Sequence, residues 1–417
     1  MQPTQRHHPV LLVGAGVREY HAHSLLQIPA THPVVLIDRA VPAWARPYME
    51  AAVSVSLFDP GELATAVEKL TASHPISGVV SYDPKSAGPA AELAQKLGLP
   101  GNAPAAVAAC RDPAWAAALL EEHGIPAARS HTVHNEDSAV AAARSMRFPV
   151  YLKAGTRAPL RADDDDEVRA AHRKFRHRDT AAPFTRAVTV EEFGLDGPAV
   201  GVEAVLVSPG EIRIAAVTRT DVRHALSSSP LGHSVDAHDE LLNDSALTQL
   251  VTKAVTALGL TVGVVHLEVR LTQRGPRLLK VTPGLADDLI PLLVDRATGI
   301  NLARTVAALA TGAAPDLSAR RQRAAAIRFL HPDATGRVSR LKAPSSFADQ
   351  PWLDRFAWTQ HTGKSVLGPP HSRVEDRLAH WVVTGADAAE CGVRLSLIGD
   401  QVITRFSRTA SRPVPKS

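Results

Sequence analysis

The sequence predicts an α/β protein of several domains, and three observations carry that expectation. From Val10 to Leu97, apolar runs of strand length alternate with stretches of helix length, and strands separated by such spacers run parallel with helices packed across them. From Val264 to Gly284, two longer runs joined by a Gln-Arg-Gly turn read as paired strands, each offering one polar residue to a shared face. The chain has 417 residues, 45% of them hydrophobic and 21% charged, enough to bury two or three separate cores.

The first elements follow from local pattern. Val10-Leu-Leu-Val is a buried strand leading into Gly14-Ala-Gly16, Ser24 to Gln27 lies in a following helix, and Val34-Val-Leu-Ile-Asp38 is a second strand. Val53 to Ser56, the amphipathic stretch Glu62 to Leu70, Gly78 to Tyr82, and Ala87 to Leu97 continue the alternation. The Gly14/Gly16 turn with Asp38 invites a dinucleotide-binding reading. A third glycine is missing, since Tyr20 or His21 stands near its place, so a structural tight turn is the reading adopted.

Leu97-Gly-Leu-Pro-Gly-Asn102 leads to Cys110-Arg-Asp-Pro and a helix over Ala114 to His123, with Asp112 as N-cap and Pro113 in its first turn. Phe148 to Lys153 is a strand ending in a lysine, followed by a loop over residues 154–166 in which Arg157 and Arg161 are candidate phosphate contacts or ordinary solvated arginines. Asp163 to Asp166 are expected to start a helix rather than hold a metal, because consecutive residues at a helix start diverge. Ala187 to Val207 reads as strand, acidic Glu191-Glu192, a Gly-Pro turn and a second strand. Leu231 to Glu240, with His233, Asp236, His238 and Asp239, reads as a solvated loop before a helix from about Asp244 to Leu258. The same four residues are a lesser candidate for a substrate amine or a metal. Beyond Ser318, strands are expected at Ala324 to Leu330, after Gly336, at Leu378 to Val383 and at Val402 to Phe406, with a helix over Ala386 to Ser396.

Composition excludes several classes. The net charge of +4 and pI near 9.2 come from scattered arginines nearly matched by acids. With only 4% aromatic residues, the chain lacks the basic stripe and stacking platform of a nucleic-acid binder. The hydrophobic run before Gly14 is too short for a secretory leader, and nothing later approaches a membrane span. Cys110 and Cys391 have no CxxC neighbour, so a reducing cytoplasm without disulfides is the expected setting.

Taken in order, the Leu-Gly-Leu-Pro-Gly turn, Lys153, the Glu191-Glu192 pair with Phe193, Leu258-Gly-Leu before Glu268, and Val281-Thr-Pro-Gly284 with Ala297-Thr-Gly-Ile-Asn301 resemble the ATP-grasp superfamily. The resemblance covers about residues 9 to 405. It implies an ATP-grasp fold preceded by a Rossmann-like pre-ATP-grasp α/β domain and followed by a small α+β C-terminal domain. Residues 9–112, 113–317 and 318–406 are assigned to these parts in chain order, with a disordered tail at 407–417.

The resemblance also implies an activity: ATP-dependent joining of a small-molecule carboxylate to an amine through an acyl phosphate, with ATP and Mg²⁺ as cofactors. Lys153 would grip phosphate, Glu191 and Glu192 would form the adenine hinge, Phe193 would cover the base, and Glu268 would hold the metal. Catalytic residues are not assigned. Five positions depart from the family pattern: Pro113 stands for a lysine, the 154–166 loop lacks its repeated Gly-Ser pattern, Ala199 replaces a ribose-binding glutamate, Lys280 a metal carboxylate, and Thr282 an asparagine. An ammonium donates and cannot ligate a metal. Two unit charges at about 4 Å interact by roughly 4 kcal/mol at an effective dielectric of 20, so Lys280 is expected to pair with Glu268 where the metal would sit, the alternative being that its ammonium reaches out to solvent. The alternative function is a catalytically inactive relative that serves as a binding or partner subunit.

Overall fold

The computed structural model describes residues 8–154, 159–176, 187–193, 197–221, 230–369 and 372–407. Two compact units divide the chain. The first gathers residues 1–217, 240–292 and 300–318, and the second residues 218–239, 293–299 and 319–417.

The first unit opens with β1 (Val10–Val13), α1 (Arg18–Gln27), β2 (Val34–Asp38), β3 (Ala51–Ser54), α2 (Pro60–Ser73), β4 (Gly78–Val80) and α3 (Ala87–Lys96). The strands form a parallel sheet in the order β3-β2-β1-β4. All four residues of β1 are buried, as expected of a strand covered on both faces. Asp59 caps α2 through the N–H groups of Gly61 and Glu62. Asp38 accepts from Ala15 N (2.9 Å) and so serves the glycine turn itself, the structural role favoured from the sequence.

Next come α4 (Pro104–Arg111), α5 (Pro113–Glu122), β5 (Ser130–Val133), α6 (Glu136–Met146), β6 (Val150–Lys153), β7 (Leu160–Ala162), α7 (Asp165–Arg176) and β8 (Val188–Glu192). Asp112 caps α5 by accepting from Ala114 N and Trp115 N, with Pro113 in the first turn. β5 to β8 make a small antiparallel sheet, order β5-β8-β6-β7. Val150, Leu152, Val188 and Val190 face a core shared with α6 and α7. The aspartate run does start α7: Asp164 accepts from Glu167 N (2.9 Å), and Asp165 pairs with Arg144 on α6.

The larger sheet of this unit is formed by β9 (Ala199–Ser208), β10 (Glu211–Asp221), β12 (Gly263–Thr272) and β13 (Gly275–Pro283), in the order β13-β12-β9-β10. Between β10 and β12 the chain forms β11 (Gly232–Asp236) and α8 (Ser245–Ala257). The apolar face of α8 packs on Val202, Ala204, Val265 and Leu267, leaving the opposite face of the sheet for polar residues. Pro126 and Ala128 bond Leu278 on β13, tying the entry of the small sheet to the large one. After β13 come α9 (Ile290–Thr298) and α10 (Leu302–Ala310).

In the second unit the last residues of β10 pair with β11, which continues through β14 (Ala324–Leu330) to β18 (Ala379–Gly385) and β16 (Leu353–Trp358). α11 (Ala388–Gly399) packs on this sheet through Cys391, Leu395 and Ile398. β15 (Gly336–Lys342), β17 (Ser365–Val366) and β19 (Ile403–Ser407) form a three-stranded sheet. Ser407 closes β19, and the rest of the expected tail, 408–417, lies outside the described residues.

The stretch Leu231 to Glu240 is a correction. It holds β11 rather than beginning as a solvated loop, with His233 buried and its Nδ1 3.2 Å from Thr220 Oγ1. Asp239 is engaged by Arg219 through two hydrogen bonds of 2.8 and 2.9 Å. Its polar alternation hides the strand, one of whose ladder partners, β14, lies far away in sequence.

Candidate functional site

Strand alternation builds the site. On β6, Val150 and Leu152 are buried while Tyr151 and Lys153 turn to the other face. Tyr151 opposes Glu191 on β8, and Lys153 opposes Thr189. Lys153 Nζ donates to Glu191 Oε1 at 2.6 Å, both side chains being less than one-fifth exposed. Burial pushes the Glu191 carboxyl above the usual carboxylate range, and the charges of Glu268 and Glu192 add to that against the opposing ammonium of Lys153.

Glu192 is one residue on and therefore faces away from Glu191. It accepts from Arg129 N (2.8 Å) and Arg129 Nε (2.7 Å), with Arg277 at 3.8 Å. Its own N–H donates to Arg129 O (3.0 Å). Glu192 thus fastens β5 to β8, and the structure does not bring it together with Lys153. Phe193, on the Glu191 side of the strand by alternation, meets Tyr151 at a centroid distance of 5.0 Å and 58° between planes. The Arg161 guanidinium lies 4.7 Å from the same ring and pairs with Asp163. Arg157 lies outside the described residues.

Across β9, β12 and β13, ladder register sets three rows: Glu203–His266–Thr282, Gly201–Glu268–Lys280 and Ala199–Arg270–Arg277. Glu268 and Lys280 are direct partners, and their side chains approach to 3.7 Å, the ion pair expected from the sequence. Leu279 stands unopposed in a bulge beside Lys280. Partial desolvation raises the Glu268 carboxyl, but Lys280, His266 and Lys153 outweigh it and hold the group below its ordinary range. Lys153 on the small sheet therefore acts on Glu268 of the large one.

His266 and Glu203, not singled out from the sequence, form the buried end of the cluster. His266 Nδ1 lies 2.7 Å from Glu203 Oε1, and Glu203 is fully buried. Burial lowers the imidazole pKa, yet the Glu203 and Glu268 charges overcome it and raise the group above its usual value. The i, i+2 spacing of His266, Glu268 and Arg270 was the available signal, and Glu203 needed the register of β9.

The loop after β13 adds a second group. Asp288 and Leu289 hold positive φ of 59° and 62°, a conformation that costs non-glycine residues energy. Asp287 Oδ1 comes to 3.9 Å from His21 Nε2, and His21 stacks on Tyr82 at 5.6 Å. Burial raises the Asp287 carboxyl, with Asp288 and Asp83 adding to the shift and His21 and Lys280 opposing it.

These residues do not fit a magnesium ion. A hard dication takes several oxygen ligands converging from different directions, whereas Glu268 faces an ammonium. Among the described residues no group of three or more His, Cys, Asp or Glu is arranged to hold a metal. For a nucleotide, Lys153 remains at its strand end but is already hydrogen-bonded, and the Glu192 N–H is consumed within the sheet.

Comparison with known proteins agrees with this geometry at the level of fold. The ATP-grasp N-terminal domain family matches residues 32–101. An uncharacterised protein, y4rH of Sinorhizobium fredii, is 28% identical over 321 residues, which cover 73% of this chain and 64% of that protein. Among solved structures, an L-amino acid ligase from Bacillus licheniformis superposes with a TM-score of 0.82 at 18% identity, covering 97% of this chain and 100% of that one. Phosphoribosylglycinamide synthetase from Anaerococcus prevotii gives 0.71 at 16% identity, covering 96% and 100%. N5-carboxyaminoimidazole ribonucleotide synthetase from Thermotoga maritima gives 0.68 at 14%, covering 96% and 100%.

Proposed function

We propose that this chain, which has the ATP-grasp fold, is a relative of the ATP-dependent carboxylate–amine ligases whose cleft has exchanged magnesium for the ammonium of Lys280. The observation that carries the reading is the 3.7 Å approach of Lys280 to Glu268 across paired strands. In an acyl-phosphate mechanism the substrate carboxylate attacks the γ-phosphoryl group, ADP leaves, and the amine then displaces phosphate from the acyl carbon. Phosphoryl transfer depends on neutralising charge that spreads over the phosphoryl oxygens, a task usually given to metal ions. Lys153 and Lys280 supply positive charge here without a metal. Small-molecule carboxylates and amines are the substrates under this reading, in the cytoplasm. Two facts accord with that setting: the cysteines are free, and no described helix is long and apolar enough to cross a membrane.

A second reading, a non-catalytic protein with a binding or partner role, is favoured by one specific feature. Lys153–Glu191, Lys280–Glu268 and His266–Glu203 are matched pairs, so the cleft neutralises its own charges. Calorimetry separates the two. Wild-type protein is expected to bind ATP with no gain on adding Mg²⁺, and Lys280→Glu with Thr282→Asn to gain at least tenfold in MgATP affinity, lost again with Lys153→Ala. Micromolar, magnesium-dependent binding by the wild type sinks the exchange of metal for ammonium. Amide formation from ATP, an amino acid and an amine eliminates the non-catalytic reading.

A further inference from the structure

The polar face of the large sheet does not end at its charged rows. Val264 stands two residues before His266 on β12, and Gly284 follows Thr282 by two as the chain leaves β13, its N–H donating to Val264 O (2.8 Å). Val264 is buried yet stands outside the core that α8 makes with Val265 and Leu267, so it faces the side of Glu268 and Lys280. Over this end of the face lies a cavity of about 110 Å³, walled by Ala91 of α3 and by Val306 and Leu309 of α10. Gly284 borders it, and a Cβ there would meet no atom within 4 Å. Ala91 is buried but does not join Ala90 and Ala94 in the core under the parallel sheet, so the cavity owes part of its volume to a methyl group where α3 could carry a longer side chain.

Among the described residues, Ser81 and Asn102 are the polar side chains on its wall, and both are engaged within the chain. Ser81 Oγ donates to Asp83 O (3.0 Å). Asn102 donates to Val262 O (2.7 Å) and accepts from Thr261 N (2.8 Å) and Val262 N (3.2 Å). An occupant therefore gains little from a charged or hydrogen-bonding group inside and much from hydrocarbon. A cavity of roughly 150 Å³ holds benzene, and this smaller one suits about four carbons. It starts two ladder rows, roughly 13 Å, from the Glu268–Lys280 pair. We infer that the cavity takes a short branched aliphatic group of isobutyl size, the side chain of a substrate whose reacting end lies toward Lys280. That the group belongs to a substrate rests on the ligase reading, whereas the chemistry of the cavity stands on its walls alone.

Isovalerate and isobutylamine carry the same isobutyl group on opposite charges, and neither needs ATP. Saturation-transfer NMR at millimolar concentration is expected to show methyl saturation of at least one of them by the wild type and none of acetate or methylamine. The tighter binder names the carboxylate or the amine as the substrate held there. Ala91→Leu fills the cavity and is expected to weaken that binding at least about tenfold without lowering the melting temperature. Val306→Phe, which fills it from α10, serves if the first variant melts early. No isobutyl signal in the wild type, or one unchanged in a folded, filled variant, overturns the assignment. If an isobutyl probe binds and responds to Ala91→Leu while calorimetry finds no ATP binding, the ligase reading falls and the cavity keeps its ligand class. ATP binding without isobutyl binding removes the cavity assignment alone.

Discussion

Glu203 and Glu268 are both acids facing the same cleft, yet their energetic weight differs because their exposure differs. Glu268 and Lys280 are 46% and 58% exposed, so solvent screens the pair and removing the ammonium should cost under about 1 kcal/mol of stability. Glu203 is fully buried against His266, and its loss leaves the imidazole without the carboxylate it faces, a change of about 1–3 kcal/mol. The imidazole also fixes a pH dependence. Its folded pKa is raised, so its stabilisation is complete below the unfolded value near 6.5 and disappears as pH climbs through the folded value. Denaturant titrations between pH 6 and 9 are expected to show stability falling with pH in the wild type, with His266→Gln flattening that slope. A wild-type slope unchanged by His266→Gln contradicts the assignment. Of these residues, Glu268 and Lys280 were legible from sequence because each stands in an apolar strand where a charge is conspicuous. Glu203 was not, since its meaning depends on lying opposite His266, a matter of register that a single chain does not display.

At the scale of elements, local chemistry was the more readable part. β1, β2 and β14 fall where continuous apolar runs predict them, and α5 begins where Asp112 and Pro113 dictate. Asp112→Ala removes the acceptor for two N–H groups and is expected to cost about 1 kcal/mol, measurable as a shift in denaturation midpoint. Asp112→Asn, which keeps the acceptor, should restore most of it. β11 escaped because it has no apolar run and owes its existence to neighbours. Gly232 shows how close they come, since a Cβ there would stand 2.1 Å from Ile327 O. Glu191 and Glu192 read as one acidic pair in the sequence, but both lie on β8 and alternation gives Glu191 to Lys153 and Glu192 to Arg129.

The whole molecule interleaves its two units along the chain. The second unit takes residues 218–239 and 293–299 in addition to everything from 319 onward, and β11 finds β14 within it. Truncation after Ser318 therefore leaves β11 with an unpaired edge and no β14, and such edges associate. The truncated chain is expected to be insoluble or oligomeric by light scattering, whereas a soluble monomer with native thermal stability would show that the first unit folds without its complement. The bulge in β13 has a related consequence at the rim of the large sheet, where β13 is outermost. Pro276 and Pro283 offer no N–H there, Leu278 is already bonded by Pro126 and Ala128, Leu279 breaks the ladder, and Lys280 places a charge beside the break. The rim thus offers a foreign strand a broken template, to which the lysine that confronts Glu268 adds a charge.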